Sequence, residues 1–327
     1  MNKLFLFLTI ILIAGAGCSS SDNGTAGAGG TAGTGGQGGT GGALSDCSTP
    51  EALLRCDGVV LNIAHRGGRD IRPEHTLVAY EQALADGADV LELDIHATSD
   101  GVIVVMHDGT IDRTTDGAGA IKEMTFEELR TYDAGYNFTT DDGATYPYRG
   151  MGLLVPSLEE VLEAFPDAPY VIELKQAEPS IVDDFVAMTR EHEVIDQING
   201  ASFDDAVLAE LRAAAPEMAT SFSEDEVVEY FLLSSNPDGI DPDYVPPAEF
   251  LQVPPRRGEL EVLHEQFIPT AHELGLKVHV WTINDKDDMR TLIEDFGVDG
   301  IMTDDHITLR RVIEETGTGL KALHEQL

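Results

Sequence analysis

Three strands are predicted near the start of the folded part of the chain by VVLNIAH at residues 59–65, ADVLELDIH at 88–96 and GVIVVMHD at 101–108. Each run is rich in β-branched and other apolar residues, and each has a histidine at or near its C-terminal end. Downstream, strand-like runs alternate with amphipathic helical stretches. This alternation predicts a parallel sheet, and the length suits a single α/β domain at 46–327, a closed (β/α)8 TIM barrel.

The predicted elements follow from the same two periodicities. Strands are predicted at 59–64, 89–96, 102–106, 169–174, 198–203, 217–222, 249–253, 277–283 and 299–302. Helices are predicted at 76–86, 157–165, 180–192, 204–214, 258–275, 285–296 and 306–325. Capping boxes pair Ser157 with Glu160 and Thr125 with Glu128, and we expect Glu160 to act as a cap.

One connection interrupts the barrel pattern. Residues 97–101 are too few for a crossover helix between the second and third strands. The Ser-Asp-Gly sequence there favours an antiparallel hairpin with its turn centred on Ser99 and Asp100, in which Glu92 would face His107. An extended, irregular link that keeps the strands parallel is the alternative, and the sequence leaves both open.

The charge of the chain is strongly negative. It carries 59 acidic and 20 basic residues, for a net charge of −39. Such a field repels nucleic acid and anionic membrane surfaces, so neither is expected as a partner. An anionic substrate would also be repelled unless a metal ion or local cations reverse the sign at its site.

Residues 1–17 predict a signal peptide of the lipoprotein type. Lys3 precedes the apolar run LFLFLTIILIA, and small residues lead to Cys18. The junction resembles a bacterial lipobox, with Gly15 where a larger aliphatic residue is usual, and this resemblance implies lipidation of Cys18. We expect an exported protein with a lipid anchor in the cell envelope, at the outer membrane if the host has one. The alternative is a periplasmic or secreted protein without an anchor.

The segment after Cys18 links this anchor to the folded domain. Residues 18–45 are mostly Gly, Ser, Thr and Ala, a composition that predicts a flexible tether. The two remaining cysteines, Cys47 and Cys56, are expected to form a disulfide in an exported protein, closing a short loop at the entry to the domain.

Carboxylates and histidines distinguish the predicted strands chemically. Glu92 and Asp94 are two apart, so their side chains share one face of a strand, and Glu173 and Lys175 repeat this arrangement on PYVIELK. Carboxylate oxygens suit a hard divalent cation, and imidazoles transfer protons near neutral pH. The pattern predicts metal-assisted cleavage of an anionic ester.

A longer set of motifs closely resembles, in order and spacing, the glycerophosphodiester phosphodiesterase family from about Leu61 to Asp304. The motifs are His65-Arg66-Gly67, Pro73-Glu74-His75-Thr76, Glu92-Leu93-Asp94, His107-Asp108, Asp112-Arg113-Thr114-Thr115, Pro156-Ser157-Leu158-Glu159-Glu160, Glu173-Leu174-Lys175, Ser202-Phe203, Val280-Trp281-Thr282 and Asp299-Gly300-Ile301-Met302-Thr303-Asp304. The chain departs from the usual pattern at His75, where the family has Asn, and at Ser157, where it has Thr.

The resemblance implies a TIM-barrel enzyme, related to phospholipase C-like phosphodiesterases, that hydrolyses glycerophosphodiesters to sn-glycerol 3-phosphate and an alcohol. It implies one divalent cation, Ca²⁺ or Mg²⁺, and an acid–base pair formed by His65 and His107, without assigning which is the acid. The other roles it implies are metal ligation by Glu92, Asp94 and Glu173 and phosphate contact by Arg66 and Lys175. A cyclic phosphate formed by the glycerol hydroxyl and direct attack by water are both open.

Glu74 and Trp281 are further candidates for substrate binding. Glu74 begins a helical stretch and could instead offset the helix dipole. Trp281, the one tryptophan, lies on a late strand, where it would either line the pocket or pack in the core. Six other histidines lack support from the motifs and are expected to take no part in the reaction: His75, His96, His264, His272, His279 and His306.

Two other functions are weighed against this reading. A lysophospholipase D-like enzyme would keep the same site and need a larger apolar groove near Trp281. A surface binding protein on an inactive barrel would require the loss of catalytic residues, and the histidines and carboxylates named above are all present. The sequence sets neither the alcohol leaving group nor the oligomeric state.

Overall fold

The computed structural model describes residues 47–320, so the predicted signal peptide, Cys18 and the tether lie outside the described residues. The strands in chain order are β1 Leu61–Ala64, β2 Val90–Ala97, β3 Ile103–Val105, β4 Tyr170–Leu174, β5 Ile198–Ala201, β6 Ala219–Thr220, β7 Phe250–Val253, β8 Arg256–Arg257, β9 Leu260–Glu261, β10 Lys277–Val280 and β11 Gly300–Thr303. Parallel pairing orders eight of them as β1, β2, β4, β5, β6, β7, β10 and β11. A parallel bridge between Ser221 and Phe250 closes this ring, which confirms the predicted TIM barrel.

Helices follow most of the barrel strands. They are α1 Pro50–Leu54, α2 Leu77–Ala85, α3 Phe126–Leu129, α4 Leu158–Ala164, α5 Val182–Glu191, α6 Asp205–Ala214, α7 Glu224–Ser234, α8 Phe267–Glu273, α9 Lys286–Thr291 and α10 His306–Thr316. Short 3-10 turns occupy His65–Gly67, Ile121–Glu123 and Ile195–Gln197, and a π-helical turn, Leu292–Phe296, continues α9. Within residues 47–320, no helix is long and apolar enough to cross a bilayer.

The helix predictions differ from the structure in several places, and the short helices α1 and α3 were not among the predicted ones. The first part of 258–275 is not helical but forms a small antiparallel hairpin of β8 and β9, and α8 begins only at Phe267. Helix α7 was not predicted. The last helix ends at Thr316 because Gly317 adopts a left-handed conformation (φ 71°), which terminates the helix. Capping boxes at Ser157 and Thr125 are confirmed, with Glu160 and Glu128 as the reciprocal partners.

The segment between β2 and β4 contains an antiparallel hairpin, which is one of the two arrangements that the sequence allowed. β3 pairs antiparallel with β2 and stays outside the barrel ring. Its register joins Ile95 to Val105, and the ladder ends there, so the expected pairing of Glu92 with His107 is wrong. The loop has three residues rather than two: Thr98 and Val102 close it, and Gly101 adopts φ 84°.

Alternation along the strands separates an outer from an inner face. On β2, Leu91, Leu93 and Ile95 pack outward in the apolar layer that includes α4 and α5. The inner face near the N-terminal end of the barrel is apolar, and the Cys47–Cys56 disulfide and α1 pack beneath it. The inward carboxylates Glu92, Asp94 and Glu173 lie beyond this largely apolar layer, which also contains His279 beside Phe250.

Candidate active site

The turn after β1 places His65 and Arg66 at the C-terminal end of the barrel. Arg66 has φ 54°, a left-handed conformation that is unusual for a residue with a side chain, and its amide donates to Glu92 Oε2 at 2.7 Å. Gly68 also has positive φ, and a Cβ there would lie 2.3 Å from Nδ1 of His306. The glycines after Arg66 are therefore required both by backbone conformation and by close packing.

Asp304, at the end of β11, binds the ring of His65. The Nδ1–H of His65 donates to Asp304 Oδ1 at 2.6 Å, and Asn284 donates to the other carboxylate oxygen at 2.8 Å. Burial favours a neutral carboxyl, but the interactions with His65, Asn284 and Arg69 together outweigh it and hold the pKa of Asp304 below its usual value. The ring is held at Nδ1, which leaves Nε2 for proton transfer.

The three candidate metal ligands face the interior of the barrel from β2 and β4. Asp94 is in register with Glu173, and Glu92 lies two residues before Asp94 on the same face, as predicted from the period of the strand. Burial, reinforced by the charge of Asp94, raises the pKa of Glu92 well above its usual value, and burial raises the pKa of Glu173 to about 7. A buried cluster of carboxylates of this kind favours a divalent cation electrostatically.

Lys175 lies among these carboxylates. Its Nζ is 3.0 Å from Asp94 Oδ1 and 2.6 Å from Glu173 Oε2. With the ammonium between them, no three His, Cys, Asp or Glu side chains of residues 47–320 form a ready-made metal site. The hard oxygen donors fit Ca²⁺ or Mg²⁺ chemically. For a cation to bind, the Lys175 ammonium would have to share Asp94 and Glu173 with it or move away from them.

His75, which the sequence analysis set aside, is part of this cluster. It is buried, its Nε2 lies 2.9 Å from Asp94 Oδ2, and its Nδ1 lies 2.6 Å from the hydroxyl of Tyr80. Burial lowers the pKa of His75, which favours a neutral ring. A neutral ring accepts from Tyr80 and donates to Asp94, so His75 orients a candidate metal ligand.

His107 follows β3 and is held by its neighbour in the chain. Its Nδ1–H donates to Asp108 Oδ1 at 2.7 Å, and burial lowers the pKa of the ring. The hairpin and the loop after it pack on a small apolar core of their own, which includes Val104, Met106 and Ile111. This separate core fixes the backbone that carries His107.

Glu74 contacts two arginines rather than the start of a helix. Arg113 donates to both of its carboxylate oxygens at 2.7 Å, and Arg66 Nη1 donates to Oε1 at 3.1 Å. Burial opposes ionisation, but the hydrogen bonds from Arg113 and the nearby charges of His75, Arg66 and Arg113 together outweigh it and lower the pKa of Glu74 to about 2. Thr76 caps α2, so the alternative of a helix-dipole role for Glu74 is not needed.

Trp281 lies just after β10 and meets an aromatic residue from the opposite side of the barrel mouth. Its ring centroid is 5.8 Å from that of Phe203, which follows β5, and the rings are nearly perpendicular, at 88°. Phe203 is 49% exposed, and Nζ of Lys175 lies 5.8 Å from its ring centroid. The pair forms an apolar wall beside the cluster of charged residues.

The sequence analysis assigned no role to several residues that the structure places here. Asp304, Asp108, Arg113 and Phe203 all stood in quoted motifs, but only the fold shows which side chain each one binds. His75 was expected to take no part in the reaction, because the family has Asn at its position in the motif. Its position just before α2 gives no sign of the contact with Asp94.

Comparison with known proteins gives a consistent result. Residues 65–308 match the glycerophosphoryl diester phosphodiesterase family. A glycerophosphodiester phosphodiesterase of Caldanaerobacter subterraneus subsp. tengcongensis is 32% identical over 265 residues, which cover 79% of this chain and 99% of that protein. The lysophospholipase D GDPD3 of Mus musculus is 27% identical over 271 residues, covering 77% of this chain and 81% of that protein.

A solved structure agrees with the barrel. The crystal structure of glycerophosphodiester phosphodiesterase from Agrobacterium tumefaciens superposes with a TM-score of 0.62 at 29% identity, covering 77% of this chain and 99% of that one.

Proposed function

The chain belongs to the glycerophosphoryl diester phosphodiesterase family and is a glycerophosphodiester phosphodiesterase, and we propose that it releases sn-glycerol 3-phosphate with one divalent cation and two histidines. One observation carries this proposal. His65 and His107 are each bound at Nδ1 by a carboxylate, and both lie at the end of the barrel that carries the buried acidic cluster.

The two imidazoles supply the proton transfers that hydrolysis requires. One Nε2 removes a proton from the attacking hydroxyl, and the other donates a proton to the oxygen of the departing alcohol as its bond to phosphorus breaks. The nucleophile is either the neighbouring glycerol hydroxyl or water. Asp304 and Asp108 each accept a hydrogen bond from Nδ1–H, so that the proton transfers of the reaction take place at Nε2.

Glu92, Asp94 and Glu173 would hold the cation, Ca²⁺ or Mg²⁺. A bound cation would polarise the phosphoryl group and neutralise charge that develops on its oxygens. Arg66 and Lys175 would contact the same oxygens, because both are cationic, line the cluster and offer several donors. These two positive charges would also offset the repulsion that a net charge of −39 imposes on an anionic substrate.

A lysophospholipase D-like activity is the second candidate. It is supported by the exposed apolar wall of Phe203 and Trp281, which would accommodate part of an acyl chain, and by the similarity to the mouse lysophospholipase D. Glu74, with its carboxylate occupied by two arginines, would act on substrate through them.

The anchor remains part of the proposal. We expect the signal peptide 1–17 to be removed and Cys18 to be lipidated, so that residues 18–45 tether the enzyme to the cell envelope. The membrane would then be contacted through the lipid alone.

The test is an assay of the purified chain on glycerophosphocholine, glycerophosphoethanolamine and lysophosphatidylcholine, each with Ca²⁺, Mg²⁺ or a chelator. Release of glycerol 3-phosphate from the first two in the presence of a cation would support the proposal. Turnover of lysophosphatidylcholine alone would support the second candidate, and full activity in excess chelator would remove the cation from the mechanism.

A further inference from the structure

Arg113, in the loop after β3, binds two carboxylates that belong to different loops. Its Nε donates to Asp108 Oδ2 at 2.7 Å, and its Nη1 and Nη2 donate to the two oxygens of Glu74, also at 2.7 Å. The planar guanidinium suits this double contact, because its donors point along two edges of one rigid fork. The ammonium group of a lysine is a point charge without this planar fork.

The contact with Asp108 bears directly on His107. Asp108 accepts from the His107 ring with Oδ1 and from Arg113 with Oδ2, so its carboxylate is fixed from both sides. Asp108 is partly exposed and would otherwise rotate into solvent, since a surface carboxylate gains little from a single partner. Arg113 therefore limits the orientations from which Asp108 can hold the ring.

The contact with Glu74 extends the same network to the other histidine. Glu74 is largely buried and also accepts from Arg66, whose Nε lies 3.3 Å from Nε2 of His65. An unbroken series of contacts thus runs from His107 to His65. Its members in order are His107, Asp108, Arg113, Glu74, Arg66 and His65.

We infer that Arg113 is a positioning residue that sets the orientation of His107 through Asp108, while its contact with Glu74 holds the guanidinium itself in place. The inference rests on the proposed function in taking His107 as a catalytic group. Nothing in it requires Arg113 to contact substrate, because three of its donors are already engaged by carboxylates.

The competing role for Arg113 is direct binding of the substrate phosphate. The two roles differ in what they predict. A phosphate ligand would raise KM when removed and would act whether or not Asp108 is present. A positioning residue would lower kcat, and its effect would disappear once Asp108 can no longer hold the ring.

The first measurement determines the tautomer of the His107 ring and does not depend on enzymatic turnover. The full chain is labelled with ¹⁵N-histidine, and the imidazole signals of His107 are assigned with His107→Gln. In the parent protein we expect the tautomer with the proton on Nδ1. In Arg113→Ala we expect a mixture of the two tautomers, and a spectrum identical to the parent's would overturn the inference.

Two further variants make this result specific. Arg113→Lys keeps the charge and tests the same point if Arg113→Ala fails to fold. Arg190, on α5, forms a surface ion pair with Glu217. Arg190→Ala removes this pair, and the His107 signals of this variant should match those of the parent. Different signals in Arg190→Ala would mean that the ring responds to any lost arginine, and that outcome would also overturn the inference.

A kinetic cycle of Asp108→Asn, Arg113→Ala and the double variant completes the test. We expect each single variant to lower kcat tenfold to a hundredfold, on the order seen for residues that orient a catalytic group, with KM nearly unchanged. The double variant should be no slower than Asp108→Asn. Losses that multiply, or a raised KM in Arg113→Ala, would indicate direct contact with substrate. An inactive parent would refute the proposed function, while the tautomer measurement would still decide the role of Arg113.

Discussion

Asp304 Oδ1 lies 2.6 Å from Nδ1 of His65, although the two residues are 239 positions apart in the chain. The first and last strands of the barrel, β1 and β11, are neighbours in the ring, and their register joins Ala64 to Thr303, the residues just before this pair. Closure of the barrel therefore forms the contact between the histidine and its carboxylate.

Asp304→Asn should leave the fold intact and slow the reaction. The amide keeps the shape of the side chain but cannot accept from His65 with the strength of a carboxylate, so the ring loses its preferred tautomer. We expect kcat to fall about a hundredfold, within the range of general acid–base contributions. Steady-state kinetics would measure the change.

The neighbouring Asp305 supplies the control for this variant. It caps α10 by accepting from the amide of Thr308, and asparagine caps helices equally well. Asp305→Asn should therefore retain the parent's kcat. Equal losses in the two variants would show that the effect of Asp304→Asn comes from a change in local charge.

Lys175→Met should bind Ca²⁺ more tightly and react more slowly. Lys175 neutralises Asp94 and Glu173, so its removal leaves two buried carboxylates that a divalent cation would balance. A larger rise in Tm on adding Ca²⁺ would report the tighter binding. Activity should drop at least tenfold, because a cationic donor to phosphate is lost.

Lys277→Met is the matched control for that experiment. Lys277 also pairs with two carboxylates, Asp57 and Asp299, but it is at the N-terminal end of β10, away from the acidic cluster. Its removal should lower the Tm without enlarging the response to Ca²⁺. The role given to Lys175 would be wrong if both variants responded to Ca²⁺ as the parent does.

The sequence predicts the barrel well because burial of parallel strands imposes continuous apolar runs. It also predicts that Glu92 and Asp94 share a face, since the period of a strand is two. Helix α7 was missed even though Ser223 and Glu226 form a capping box of the kind that located the helix at Ser157. Few of its residues are buried, so its apolar stripe is weak.

The sequence patterns could not predict which side chains far apart in the chain contact each other. Nothing local connects Arg113 with Glu74 or Asp304 with His65, because each pair is assembled by tertiary packing. The hairpin register was wrong by one position for a local reason: the loop contains three residues and ends at Gly101 in a left-handed conformation. A shift of one residue reverses the face on which a side chain lies, which is why Glu92 does not meet His107.

Cys18→Ala should abolish incorporation of radioactive palmitate, because a lipoprotein signal modifies only the cysteine that follows the cleavage site. The parent should carry the label and sediment with membranes. A variant with Cys47→Ser and Cys56→Ser, which lacks the disulfide but keeps Cys18, should still be labelled. Equal labelling of the parent and Cys18→Ala would exclude the anchor.

His279→Phe should make the fold less sensitive to acid. His279 lies inside the barrel against Phe250, and burial lowers its pKa to about 4 from an ordinary value of 6.5. The unfolded chain therefore binds a proton that the folded chain refuses, so this stabilisation is present above pH 6.5 and is lost as the pH falls towards 4.

The expected loss is about 2 kcal/mol between pH 7 and pH 5, since each pKa unit corresponds to about 1.4 kcal/mol. Phenylalanine fills a similar volume without titrating. Urea unfolding at the two pH values should therefore show a smaller drop in the free energy of unfolding for His279→Phe than for the parent. An equal drop in both proteins would mean that the acid sensitivity arises from other groups, because the parent and the variant differ only in a ring that can take up a proton on unfolding.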